Sequence, residues 1–538
     1  MTVSLVRASA RWLVLAVPVS LLACGSSDST ATQANMSSAG GSPVGAGGSL
    51  GNAGGGSGAG QAGAATSLGG AAGLGGTASA GAGGAAGVGG GAGGATSTVP
   101  LVANLAISKI DLYQGVQVPL MAGGAQATSP YAPVVAGRDG LLRIFVTPGD
   151  GWQSRAVIAH VEIDNAAGPQ PPFDVTIDSV NGASFETNMN TTFNAPIPGA
   201  LLDGGASFRV SLYEASPDAV LPGDTTAAIW PPTDKQAFGE MTTNAAFEIV
   251  VVPLQYAADG SNRLPDTSPA QLKHLHDRML GMYPTPEVHI TVSAPIVWKT
   301  TISPNSDNGW ANALNAVLTK RFSDKAAANV FYFGMVSPAA TEAKFCGNAC
   351  IEGLTFGSDG SMSELRGSIG IGFPGDNAAE TFVHETSHAQ GIDHSPCTPK
   401  GLGIQGIDPG FPYKNGGIGV MGYDITNGSL KFPTTYKDFM GYCAPTWVSD
   451  YFFGKLASRM QAVAANGKIL FPPGGPTSWK MVAVDAAGAP RPDVDVVTIG
   501  AESLPTGAPR SVTLGGVTRT GYYHPYADVP GGVVLIPE

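Results

Sequence analysis

Apolar and polar residues alternate along four segments of the first half of the chain: Ile107–Tyr113, Gly140–Val146, Ala156–Ile163 and Ser207–Tyr213. Successive side chains of a strand point to opposite faces, so a period of two predicts strands with one buried face. Gly, Pro and Asp turns separate the segments, and together they predict a β-sandwich-like domain over 99–240. Such a domain could bind substrate, act as a spacer or serve as a pro-region, and its pattern does not choose among these. From about Ala246 the pattern changes. Phe247–Pro253, apolar but for Glu248, is a buried-strand candidate, followed by a helix over Pro269–Met279, a strand at Val288–Val292, a helix over Trp310–Arg321 and a strand at Asn329–Gly334. Gly367–Phe373 predicts a further short strand, Pro374–Asn377 a turn, and 378–390 a helix with Asn377 as its cap. Alternating strands and helices over 246–465 predict an α/β (α+β) domain with a five-stranded sheet. Trp447–Met460 has helical spacing, and Trp479–Val484 with Val494–Ile499 predicts a small β-domain over 466–538.

Composition changes this picture at the N-terminus. Met1–Ala23 carries Arg7 and Arg11, then the apolar run Trp12–Leu22, too short to span a bilayer. That is the layout of a secretory signal. Leu21-Leu22-Ala23-Cys24 resembles a bacterial lipobox, which implies cleavage before Cys24 and a lipid on its thiol, anchoring the chain to a membrane. A plain secretory signal with another cleavage site is the alternative. Residues 24–98 are mostly Gly, Ala and Ser, a linker that cannot bury enough surface to fold, and it is enriched in the chain's 76 glycines. The formal net charge of −12 argues against nucleic-acid binding and suits an exported protein.

The candidate chemistry is concentrated in one stretch, His384-Glu385-Thr386-Ser387-His388-Ala389-Gln390-Gly391-Ile392-Asp393-His394. His384 and His388 are four apart on the predicted helix, so both imidazoles can reach one metal ion. Gly391 can take a backbone conformation that ends the helix and turns the chain, bringing His394 in as third ligand. Three protein ligands with a fourth position open to water is the arrangement of a catalytic zinc site, and Glu385 is placed to accept a proton from that water. The remaining histidines, His160, His274, His276, His289 and His524, read as structural or surface residues, and no G-x-S-x-G nucleophile motif occurs.

The H-E-x-x-H-x-x-G-x-x-H pattern resembles the metzincin clan of zinc endopeptidases. The resemblance implies a Met-turn beneath the metal followed by a helix. Met440, just before the helical segment at Trp447, fits better than Met421, which precedes a strand end and turn at Asp424–Gly428. It also implies that Tyr442, or Tyr423 with the other choice, stabilises the transition state. In that clan the strand nearest the site is an edge that pairs with extended substrate, a role that falls to Gly367–Phe373. With Cys24 carrying lipid, four cysteines remain and allow three pairings. Cys346–Cys350 with Cys397–Cys443 is preferred, the second bracing the Met-turn; a C-x-x-x-C zinc knot is the rival for the first. The expectation is a zinc peptidase acting on extracellular protein or glycoprotein, with one zinc ion and calcium left open. The alternatives are an inactive zinc-binding adhesin and a metallohydrolase of a non-protein amide or ester. Oligomeric state is not legible.

Overall fold

A computed structural model describes residues 99–216, 221–347, 349–357, 360–398, 405–465 and 474–538. The signal, Cys24 and the Gly/Ala/Ser-rich segment lie outside the described residues.

The alternating segments of the first half form two antiparallel sheets. One runs, in spatial order, Ala125–Gln126, Gln117–Ala122, Leu105–Tyr113, Gly140–Pro148 and Phe193–Ile197. The other is built on Val157–Asn165 and Ser207–Glu214. In Val157–Asn165 every second residue, Val157, Ala159, Val161 and Ile163, is buried. These residues share an apolar core with Ile110, Leu112, Leu142 and Ile144 of the first sheet. Period-two burial therefore decides the hidden face of Val157–Asn165, whereas Leu141–Val146 is buried on both faces.

The following segment is the central layer of the molecule. Phe247–Tyr256 pairs in parallel with Val288–Val292, Ile296–Trp298 and Val330–Val336; Val330–Val336 pairs in parallel with Gly367–Ile371. The short strand Gly353–Thr355 completes the sheet, antiparallel to Gly367–Ile371. The sheet thus has six strands rather than five, because Ile296–Trp298 continues the edge begun by Val288–Val292. Gly367–Ile371 is not the edge nearest the site: Gly353–Thr355 lies outside it, a strand too short and Gly-rich to show a period in the sequence.

Alternation along Val330–Val336 divides the core in two. Phe331, Phe333 and Met335 join the core containing Phe382 and Val383 of helix Asp376–Ala389 and Phe452 and Leu456 of helix Asp450–Ala465. Tyr332 and Val336 face the core of helix Trp310–Ser323, with Trp310, Leu314 and Val317, and of the C-terminal sheet, with Trp479, Met481 and Leu535. That last sheet has five antiparallel strands in the order Val497–Gly500, Ser478–Val484, Gly532–Pro537, Val517–Pro525, Ala508–Leu514. Among the described residues no helix is long and apolar enough to cross a membrane.

Two element ends differ from expectation. Helix Asp376–Ala389 begins before Asn377, with Gly375 at its N-cap and no side-chain cap; Asn377 instead donates to Glu342. Trp447 lies in the short strand Thr446–Trp447, and the C-terminal helix starts at Asp450.

Candidate metal centre

His384 and His388 stand one turn apart on helix Asp376–Ala389, near its C-terminal end. The helix closes by two reversed bonds: Gly391 N–H donates to His388 O at 2.8 Å and Ile392 N–H to Ser387 O at 3.1 Å. This closure needs a left-handed residue, and Gly391 has φ 84°. The chain then turns back, and His394 is fixed by a two-way backbone clasp: its N–H donates to Gly406 O at 2.8 Å, and its carbonyl accepts from Asp408 N–H at 2.9 Å.

The three rings converge. His388 Nε2 lies 3.1 Å from His384 Nε2 and 3.1 Å from His394 Nε2. Each Nδ1 points at a backbone carbonyl: Phe439 O at 2.9 Å for His384, Ile392 O at 2.7 Å for His388 and Gln405 O at 2.5 Å for His394. A carbonyl oxygen only accepts, so each Nδ1 carries its proton, and each ring, once its Nε2 is unprotonated as metal binding requires, turns a lone pair toward the common point. Three lone pairs aimed at one another repel. A proton on one ring satisfies one nitrogen; a cation between them satisfies all three. The donor set therefore fits a divalent metal, and borderline-soft imidazole nitrogen suits zinc.

A fourth group was not foreseen. Asp528, in the turn joining strands Val517–Pro525 and Gly532–Pro537, places Oδ1 3.0 Å from His394 Nε2, 3.5 Å from His384 Nε2 and 3.7 Å from His388 Nε2. The four ligand atoms lie within 4.8 Å of one another. Nothing local marks Asp528: it stands 134 residues beyond His394, outside any motif. Tyr442 joins this cluster, its hydroxyl 2.6 Å from Asp528 Oδ1 and 3.4 Å from His394 Nε2.

Glu385 is buried beside the rings. Its Oε2 accepts from the Thr355 hydroxyl at 2.7 Å, and its carbonyl from the same hydroxyl at 3.1 Å. Gly353, on the same edge strand, is required by space: a Cβ there would sit 2.4 Å from Glu385 Oε1. Burial, then the negative charge of Asp528, pushes Glu385 well above the usual carboxylate range, against the pull of His384 and Thr355. Burial lowers His388 to about 4. Burial also opposes protonation of His384, but the hydrogen bond and charge of Asp528 outweigh it and raise that ring to about 9. Burial pushes Asp528 up, while the imidazoles, His388 foremost, hold it well below the usual range.

Of the two methionine turns, the structure brings Met440 to the site. Phe439 O is the His384 acceptor, and Met440 O accepts from Ser395 N–H at 3.0 Å, one residue beyond His394. The turn is held by the buried carboxylate of Asp438, which accepts from Met440 N–H and Ser449 N–H, each at 2.8 Å. Burial raises Asp438 to about 7 in spite of these donors. Met421 packs instead with Tyr113 and Leu141, and Tyr423 makes an edge contact with Tyr113 at 6.1 Å between ring centres. Cys397 and Cys443 are bonded, with Cα atoms 5.7 Å apart, tying the chain beyond His394 to the Met440 turn. Cys346 and Cys350 are also bonded, so their sulfurs are not thiolate ligands. The other histidines lie elsewhere: His160 pairs with Asp174, His274 with Asp376, and His289 with Glu248 and Glu287.

Compared with known protein families and with curated protein sequences, the chain matches none.

Proposed function

We propose that this protein is a zinc-dependent endopeptidase of exported or cell-surface protein or glycoprotein. The observation that carries the reading is the convergence of three Nε2 atoms, each ring fixed by an Nδ1–H bonded to a carbonyl, beside a buried glutamate on the same helix. His384, His388 and His394 would hold the metal. When bound, zinc supplies Lewis acidity, lowering the pKa of water and polarising a carbonyl. Glu385 accepts the proton of the attacking water and delivers it to the leaving amine nitrogen. Its raised pKa makes it a stronger base toward the water proton than an ordinary carboxylate. Tyr442, whose hydroxyl lies 3.4 Å from His394 Nε2, would donate to the oxyanion that forms on the scissile carbonyl. The two disulfides suit an oxidising compartment, and with the lipobox-like Cys24 they support an exported, lipid-anchored protein.

The fourth group, Asp528, favours a second reading: a zinc-binding protein without turnover. The buried base weighs against it, because a site that only holds metal has no use for a carboxylate with an elevated pKa. Zinc content and cleavage of unfolded casein, for the full chain and for Glu385→Ala, decide between them. One zinc per chain in both, with cleavage only in the parent, is the expected result. Equal cleavage by the two removes Glu385 from its role, and no zinc in either ends the metallopeptidase reading.

A further inference from the structure

The edge strand that frames Glu385 already has a partner. Gly353–Thr355 is the outermost strand on the histidine side of the central sheet, and the chain just beyond it pairs antiparallel with the C-terminal module through Phe356 and Tyr526. Gly357 N–H donates to Pro525 O at 2.8 Å, and Ala527 N–H donates to Thr355 O at 2.9 Å. The rings of Phe356 and Tyr526 stack with centroids 5.4 Å apart. An extended peptide joining a sheet edge makes this same kind of contact, with backbone bonds for affinity and alternate side chains for position. One residue past this pairing, Asp528 delivers its Oδ1 to the three Nε2 atoms and accepts from Tyr442. Its Oδ2 is buried without a hydrogen-bond partner. A carboxylate converging with three ring nitrogens, its second oxygen buried and unpartnered, forms a four-atom donor set of the kind that holds a cation.

We infer that Pro525–Asp528 is a built-in occupant of the substrate cleft, with Asp528 as a displaceable fourth ligand that holds the site closed. The inference rests on the peptidase reading above. Residues 525–527 take the edge where a substrate strand would pair, Asp528 takes the position an attacking water or scissile carbonyl needs, and Tyr442 is engaged by Asp528 instead of by an oxyanion. Activation then consists of lifting the turn 526–531 away from the edge, and no covalent step is required.

The test uses the full chain, Asp528→Ala and Asp528→Asn, each loaded with cobalt(II) in place of zinc, alongside the zinc forms. Loss of a carboxylate ligand changes the visible cobalt absorption and speeds metal loss to a chelator. The expected result is a changed spectrum and faster metal loss in both variants. Cleavage of unfolded casein by the zinc form of Asp528→Ala should rise at least tenfold, with Asp528→Asn between it and the parent because the amide still accepts from Tyr442. An unchanged spectrum and unchanged metal loss overturn the ligand assignment whatever the activity. A changed spectrum with equal casein cleavage overturns the closure of the cleft. A changed spectrum with no cleavage by any chain upholds the ligand and sinks the peptidase reading instead. Asp528→Asn keeps the shape and the Tyr442 contact, so it reports even if the alanine variant is poorly folded.

Discussion

At the scale of single residues, the site is a balance of charge in a buried place. Glu385 has burial and Asp528 raising its pKa, and His384 and Thr355 lowering it. A general base works only when ionised, so a raised pKa moves the onset of activity to higher pH. The acid limb of kcat/KM should therefore lie above the ordinary glutamate range and shift to lower pH in Asp528→Ala, where the neighbouring negative charge is gone. A pH–rate profile for both chains checks this; a limb that stays in place shows that the titrating group is not beside Asp528. The three histidines, Glu385 and Gly391 were legible in the sequence because one helical turn and one reversal bring them together, and spacing reports such local geometry. Asp528 was not legible, because its position depends on the path of a separate sheet. Tyr442 was reachable only through its place after the Met440 turn.

At the scale of elements, long periodic segments read well and short ones did not. Burial alternates along Val157–Asp164, and along Ser207–Glu214 except at Ser211, runs long enough to distinguish a period of two from chance. Gly353–Thr355 is three residues long, all buried, with nothing to alternate, and its absence from the sequence reading assigned the edge to Gly367–Phe373. The choice between the two methionine turns rested on the helix that follows one of them. Met440 is fully buried among Phe439 and Trp447, one residue from the carbonyl that orients His384, whereas Met421 lies in a small cluster against the N-terminal sheets. Leucine is close in volume to methionine but branched, so each Met→Leu change should cost less than about 1.5 kcal/mol of stability. Met440→Leu should also lower casein cleavage several-fold by shifting the His384 acceptor, and Met421→Leu should leave it near the parent rate. Equal rates in the two variants would detach Met440 from the site.

At the scale of the whole molecule, the N-terminal sheets are joined to the α/β layer through continuous apolar packing. Val116 and Val118 belong to the same core as Met282, Trp447 and Phe453. At the centre of this junction Arg138 is fully buried, and it donates to Gln114 O at 3.0 Å, Thr285 O at 2.6 Å, Leu280 O at 2.5 Å and Gly281 O at 3.3 Å. Its partners are carbonyl oxygens, and burial lowers its pKa to about 9, so at neutral pH it still holds its charge among backbone dipoles. Nothing in the alternation that predicts the sandwich hints at this, because the ligands of the guanidinium are backbone atoms, and backbone atoms are the same in every sequence. Arg138 thereby ties the N-terminal sheets to the end of helix Pro269–Met282 and the turn that follows it. Arg138→Ala strands several buried carbonyls and opens a cavity, which should cost about 3 kcal/mol or more. Arg138→Lys should recover little, since one ammonium cannot reach four carbonyls spread around a planar fork. Urea unfolding followed by tryptophan fluorescence and by residual casein cleavage should show both signals moving together to lower urea. If cleavage survives to the parent's midpoint while fluorescence falls early, the sheets unfold independently, and the N-terminal region is a separable module after all.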